Sequence, residues 1–183
     1  MKKRGFTLIE LIVSISVITL VTGIFLANYS STNRRTDLTM TAQKMVSDIR
    51  MAQNYSLGLA RYGISDAASV PLGGWGVHFN LPLEGNKQYI IFADDNGDKI
   101  YNGSEEAIAA NGAEIMTLPN NIIIDSISVG SKADVIFLPP DPITTITGPI
   151  TTYPQVDIVL KDLTTQSIKT VRINFLGLIE VIN

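Results

Sequence analysis

The chain has no cysteine, which excludes disulfides, thiol nucleophiles and Cys-based metal or iron-sulfur sites and leaves folding to core packing alone. It has a single histidine, His78, so any His-dependent triad would have to use it. The flanking Val77 and Phe79 put it in an alternating strand, where a structural role is the expectation rather than a catalytic base. One His and no Cys supply little material for a nucleophile-base pair or a metal cluster, and the expectation is a chain that is not an enzyme. Basic charge is also short. Lys and Arg number 14 against 17 Asp and Glu, a net charge of −3 that becomes −6 if Lys2, Lys3 and Arg4 are removed. That balance does not indicate a broad nucleic-acid surface. Finally, no proline precedes Pro71, so nothing in the first third of the chain forbids a long helix.

What is present is concentrated at the amino terminus. Phe6 to Tyr29 is an apolar run of 24 residues, and as a helix rising about 1.5 Å per residue it would cover roughly 36 Å, enough to cross a hydrocarbon core of about 30 Å. Lys2, Lys3 and Arg4 precede it, which places the leader in the cytoplasm and everything after Tyr29 outside. No A-x-A-type cleavage site follows the run, so the segment reads as retained. Glu10 is its only charge. An ionisable group within a membrane segment costs on the order of 3 kcal/mol or more and marks a functional site by default. Two compatible readings exist: an assembly charge awaiting a cationic partner, or a capping box formed by Thr7 and Glu10 in an S/T-x-x-E pattern.

The sequence KKRG followed by FTLIELIVSISVI, with its Gly5/Phe6 junction and Glu10, resembles the leader and helix start of type IV prepilins and type II secretion pseudopilins. The resemblance implies that a prepilin peptidase in the cytoplasmic membrane cuts between Gly5 and Phe6. It also implies that Phe6 is N-methylated and that the carboxylate of Glu10 neutralises the amine of a neighbouring subunit. The implied partners are other pilin or pseudopilin subunits, the peptidase and the cytoplasmic membrane, from which the subunit passes into an extracytoplasmic pilus or pseudopilus.

Beyond the apolar run, Leu38, Ala42, Met45, Ile49, Ala52, Ser56 and Leu59 recur at alternating spacings of four and three, an amphipathic stripe whose expected use is to pack on a sheet. Arg34, Arg35, Asp37, Lys44, Asp48 and Arg50 fall off it, and the pattern predicts one helix from Phe6 to Tyr62. Turn residues then open a β-rich segment. Its expected strands are Trp75 to Asn80, Gln88 to Ala93, Ile115 to Leu118, Ile122 to Val129, Val135 to Leu138, Val156 to Lys161, Ile168 to Asn174 and a short Leu178 to Ile182. Seven or eight strands result, with a hairpin turn over Asp162 to Ser167. The Pro/Thr-rich stretch 139–154 is expected to be an exposed, irregular loop. The fold class is therefore α+β: leader 1–5, membrane and assembly half 6–29, amphipathic half 30–62 and an antiparallel β head 63–183.

Within the head, GWGVHFN at Gly74 to Asn80, then IIFADDNGD and GSEE, resemble the GspH/FimT class of minor pilins and H-type pseudopilins. A minor structural subunit of a secretion pseudopilus or type IV pilus is implied. The alternative within that class is a FimT-like DNA-uptake pilin, which would want a basic head or Arg-rich tail, and LGLIEVIN provides neither. Asp94, Asn96, Asp98, Ile100, Asn102 and Glu105 occupy positions 1, 3, 5, 7, 9 and 12 of a calcium-type loop. Gly97 stands two places too early for that loop, and the flanks read as strand. The competing reading is a polar hairpin turn needing no cofactor, because Asp, Asn and Gly tolerate tight turns.

Overall fold

The computed structural model describes residues 5–62, 69–81, 86–103, 114–139 and 144–182, with only the backbone for 27–35. One helix, α1 (Leu8–Leu57), is followed by ten strands among the described residues. The chain divides into residues 1–37 and 38–183.

In the first unit, every described side chain from Gly5 to Leu26 is exposed. The stretch Leu8–Leu26 is 19 residues long and apolar enough to cross a membrane. A helix that is hydrophobic all round is stable only where lipid or other chains cover it. Three of its hydroxyls do not contradict this. Ser14 donates to the Glu10 carbonyl at 2.7 Å, Ser16 to that of Ile12 and Thr19 to that of Ile15, both at 2.8 Å. Each is satisfied inside the helix and asks nothing of an apolar medium.

In the second unit the stripe behaves as its spacing predicts. Leu38, Ala42, Met45, Ile49 and Ala52 are buried in one hydrophobic cluster with strand residues, and each large aliphatic there contributes about 2 kcal/mol. Off-stripe Lys44 and Arg50 are exposed.

The helix ends at Leu57, earlier than Tyr62, and it begins at Leu8 rather than Phe6. At the carboxyl end Ala60 N–H donates to Tyr55 O (2.8 Å) and Leu59 N–H to Ser56 O (3.1 Å), while Leu59 takes a left-handed φ of 50°. This is a Schellman stop. Glycine usually fills the left-handed position, but here Gly58 lies one place before it, so Leu59 carries a strain of about 1 kcal/mol. Leu59, expected on the buried stripe, is consequently 54% exposed. Trp75 holds the turn from the other side, its indole N–H donating to Ala60 O at 3.0 Å and its ring lying 5.1 Å from that of Tyr55.

The strands are β1 (Gly74–Asn80), β2 (Gln88–Asp94), β3 (Glu114–Thr117), β4 (Ile122–Ile127), β5 (Lys132–Phe137), β6 (Thr144–Thr147), β7 (Thr152–Tyr153), β8 (Gln155–Asp162), β9 (Ile168–Asn174) and β10 (Ile179–Ile182). They form two antiparallel sheets, of order β3-β2-β1-β5-β6-β7 and β10-β9-β8-β4. Alternation sets the inner faces: Val77 and Phe79 of β1 share the helix-side core with Val156, Ile158 and Leu160 of β8 and Val171 and Ile173 of β9. The hairpin turn at Asp162 forms as expected, its carboxylate accepting the N–H groups of Thr164 and Thr165 at 2.7 and 2.9 Å.

Residues 139–154 correct the expectation of an irregular loop. Thr144–Thr147 is a strand pairing with β5, and Thr152–Tyr153 pairs with it in turn. The sequence TTIT alternates, Thr144 and Ile146 being buried and Thr145 and Thr147 half-buried. Pro149 and Pro154 lie outside both strands, where their missing N–H groups cost the sheet nothing.

Candidate processing and assembly site

Gly5, Phe6, Thr7 and Glu10 meet where the chain enters α1. Thr7 N–H and Thr7 Oγ1–H both donate to Glu10 Oε2, at 3.3 and 3.2 Å, and Glu10 N–H donates back to Thr7 Oγ1 at 3.3 Å. The capping box is therefore formed, and two donors of the first turn are satisfied. It occupies one carboxylate oxygen. Oε1 has no partner among the described residues, so the box is compatible with a second, intermolecular role. Because the helix starts at Leu8, Phe6 precedes the first turn, and it is 83% exposed.

Gly5 shows a different kind of constraint. A Cβ built on it meets nothing within 4 Å, so no packing among the described residues calls for glycine there. The leader residues Lys2, Lys3 and Arg4 lie outside the described residues.

The acidic turn follows β2. Asp94 Oδ1 accepts the N–H of Gly97 (2.7 Å) and Oδ2 that of Lys99 (2.9 Å). Asn96 Oδ1 accepts from Asp98 N–H (2.8 Å), Asp98 Oδ1 from Ile100 N–H (2.9 Å), and Asn102 donates to Asp98 Oδ2 (2.7 Å). The turn thus closes on its own hydrogen bonds, with Gly97 and Lys99 both at positive φ. Burial pushes the Asp94 carboxyl above its ordinary pKa, opposed by the N–H groups of Gly97 and Lys99. Asp94, Asn96, Asp98, Ile100 and Asn102 lie together in this turn, whereas Glu105, the twelfth position, lies outside the described residues. Among the described residues no group of three or more acidic or His side chains is placed to hold a metal.

His78 is a buried strand residue, 7% exposed, with Nδ1 2.5 Å from Asp134 Oδ1 and its ring 4.8 Å from Tyr101. Sequence reasoning missed Asp134, 56 positions away. Its only local signal is its place in KADVIF, flanked by buried Ala133 and Val135 on the opposite face.

Comparison with known families matches residues 1–26 to the prokaryotic N-terminal methylation motif. Comparisons with curated proteins and with solved structures give no match. The motif spans the Gly5/Phe6 junction, the Thr7–Glu10 box and the apolar start of α1, and it fits membrane anchoring. With that motif leading into a long helix and then an antiparallel β head, the chain is a type IV pilin-like protein.

Proposed function

We propose that the protein is a structural, minor subunit of a type II secretion pseudopilus or a type IV pilus, of the GspH/FimT kind, that works by packing its apolar helix among those of other subunits. The observation that carries the reading is Glu10, the one ionisable side chain in an otherwise apolar, fully exposed helix segment, positioned within the methylation motif and keeping one carboxylate oxygen open. Prepilin peptidase removes residues 1–5 and leaves the amine of Phe6 to meet Glu10 of a neighbour. Mass spectrometry of the protein recovered from membranes is expected to give a chain beginning at N-methylated Phe6. An intact Met1, or an amino terminus beyond Tyr29, would overturn the reading.

In this reading the acidic turn is a clasp held by its own hydrogen bonds and needs no cofactor. The melting temperature of the protein is accordingly expected to stay constant when millimolar calcium is added. A rise of several degrees would instead assign Asp94, Asn96 and Asp98 to a cation, because a ligand bound only to the folded state stabilises it by mass action.

A further inference from the structure

Among the described residues the two sheets have four edges, and three of them are protected. β7 is two residues long and lies between Pro149 and Pro154. β3 is four residues long and ends two residues before Pro119. β4 carries a bulge at Asp125 and its Ile124 N–H is taken by Asn86 O at 2.8 Å. These are the usual means by which a sheet edge is kept from pairing. β10, reading IEVI, has no proline, no lysine and no bulge.

Its register defines what it offers. Asn174 N–H donates to Leu178 O, so Glu180 and Ile182 face β9 through their backbone groups. The N–H and C=O of Ile179 and Val181 point the other way. Arg50 Nη2 covers one of these, the Ile179 carbonyl, at 3.2 Å. Beside this edge runs a groove of about 360 Å³ lined by Gln43, Val46, Ser47 and Arg50 of α1 together with Ile179, Glu180 and Val181. Arg50 has no carboxylate partner among the described residues.

The geometry points to β10 as a docking edge that takes an extended segment of a different, neighbouring filament subunit. Its backbone pairs with Val181, and an acidic side chain on its inner face meets Arg50. An unpaired edge selects for extended backbone, and alternate side chains would enter the groove or lie beside Glu180 and Ile182. The Arg50 guanidinium, bound to the Ile179 carbonyl but to no carboxylate among the described residues, supplies the charge complementarity. This inference rests on the filament reading above, although its contact is made by the head.

The test uses the full-length chain in membranes of cells making the filament, with Ile182→p-benzoylphenylalanine as a photo-crosslinker. An adduct to an extended segment of another filament subunit is expected, with its yield lowered at least tenfold by Val181→Pro, which removes an outward N–H at an edge where proline is tolerated. Arg50→Ala, at an exposed position, is expected to lower it several-fold with an unchanged melting temperature, and serves if Val181→Pro fails to fold. An adduct to lipid, to a second copy of this chain or to a helix would overturn the proposal, as would a yield indifferent to both variants. A chain present in sheared filaments without the adduct sinks the edge but not the filament reading. The adduct without filament incorporation does the reverse.

Discussion

Glu10→Gln is expected to leave the protein in the membrane while lowering the amount recovered in sheared filaments about a hundredfold or more. Gln keeps a side-chain oxygen of the same reach, so Thr7 N–H and Oγ1–H retain their acceptor and the capping box survives. Removing the charge also removes a membrane cost of about 3 kcal/mol, so insertion should not suffer. The loss falls on the neighbour. An amine at Phe6 brought into an apolar array without its carboxylate is a buried unpaired charge, worth about 3–5 kcal/mol against assembly, or roughly two to three and a half decades in an equilibrium. Quantitative immunoblotting of the membrane and sheared fractions reads this directly. Wild-type levels in the filament would reduce Glu10 to a cap, and loss of insertion would assign it to targeting.

The parts of the molecule that follow from a single period were legible in the sequence. The 3.6-residue recurrence of Leu38, Ala42, Met45, Ile49 and Ala52 gave the buried helix face, and period-two alternation gave most strands within two residues. What escaped depends on partners remote in sequence. The helix stop is set by Leu59 in a conformation normally left to glycine, held by Trp75 fifteen residues beyond Ala60. β6 was hidden because prolines mark loops by composition, whereas their effect on a sheet depends on whether they fall within a strand or beside it. The division into two sheets turns on β4 pairing with β8 rather than with its neighbours in sequence, which no local pattern announces. At the site, the residue types of the Gly5 to Glu10 segment were readable because they answer to chemistry within a few residues. The His78–Asp134 pair was not, because it exists only once β1 and β5 are in register.

Gly74→Ala is expected to destabilise the head by about 2–5 kcal/mol, the sum of two separable costs. Gly74 opens β1 at a φ of +86°, which an L-residue occupies at a cost of about 1–2 kcal/mol. A Cβ there would also stand 2.2 Å from the carbonyl oxygen of Phe137 and 3.0 Å from Ser56 Oγ. That carbonyl cannot retreat freely. It accepts the hydroxyl of buried Ser56 from the last turn of α1, and Phe137 pairs with Trp75 on one side and Thr144 on the other. Relieving the clash must move a helix end or two strand pairings, an overpacking cost of about 1–3 kcal/mol. Gly103→Ala is the matched control, with a φ of +91° and nothing within 4 Å of the new Cβ, so only the backbone cost applies, about 1 kcal/mol. Denaturation followed by the fluorescence of the single Trp75 separates the two contributions. If Gly74→Ala and Gly103→Ala shift the midpoint equally, the close approach of helix, β1 and β5 at Gly74 is not what holds the head together.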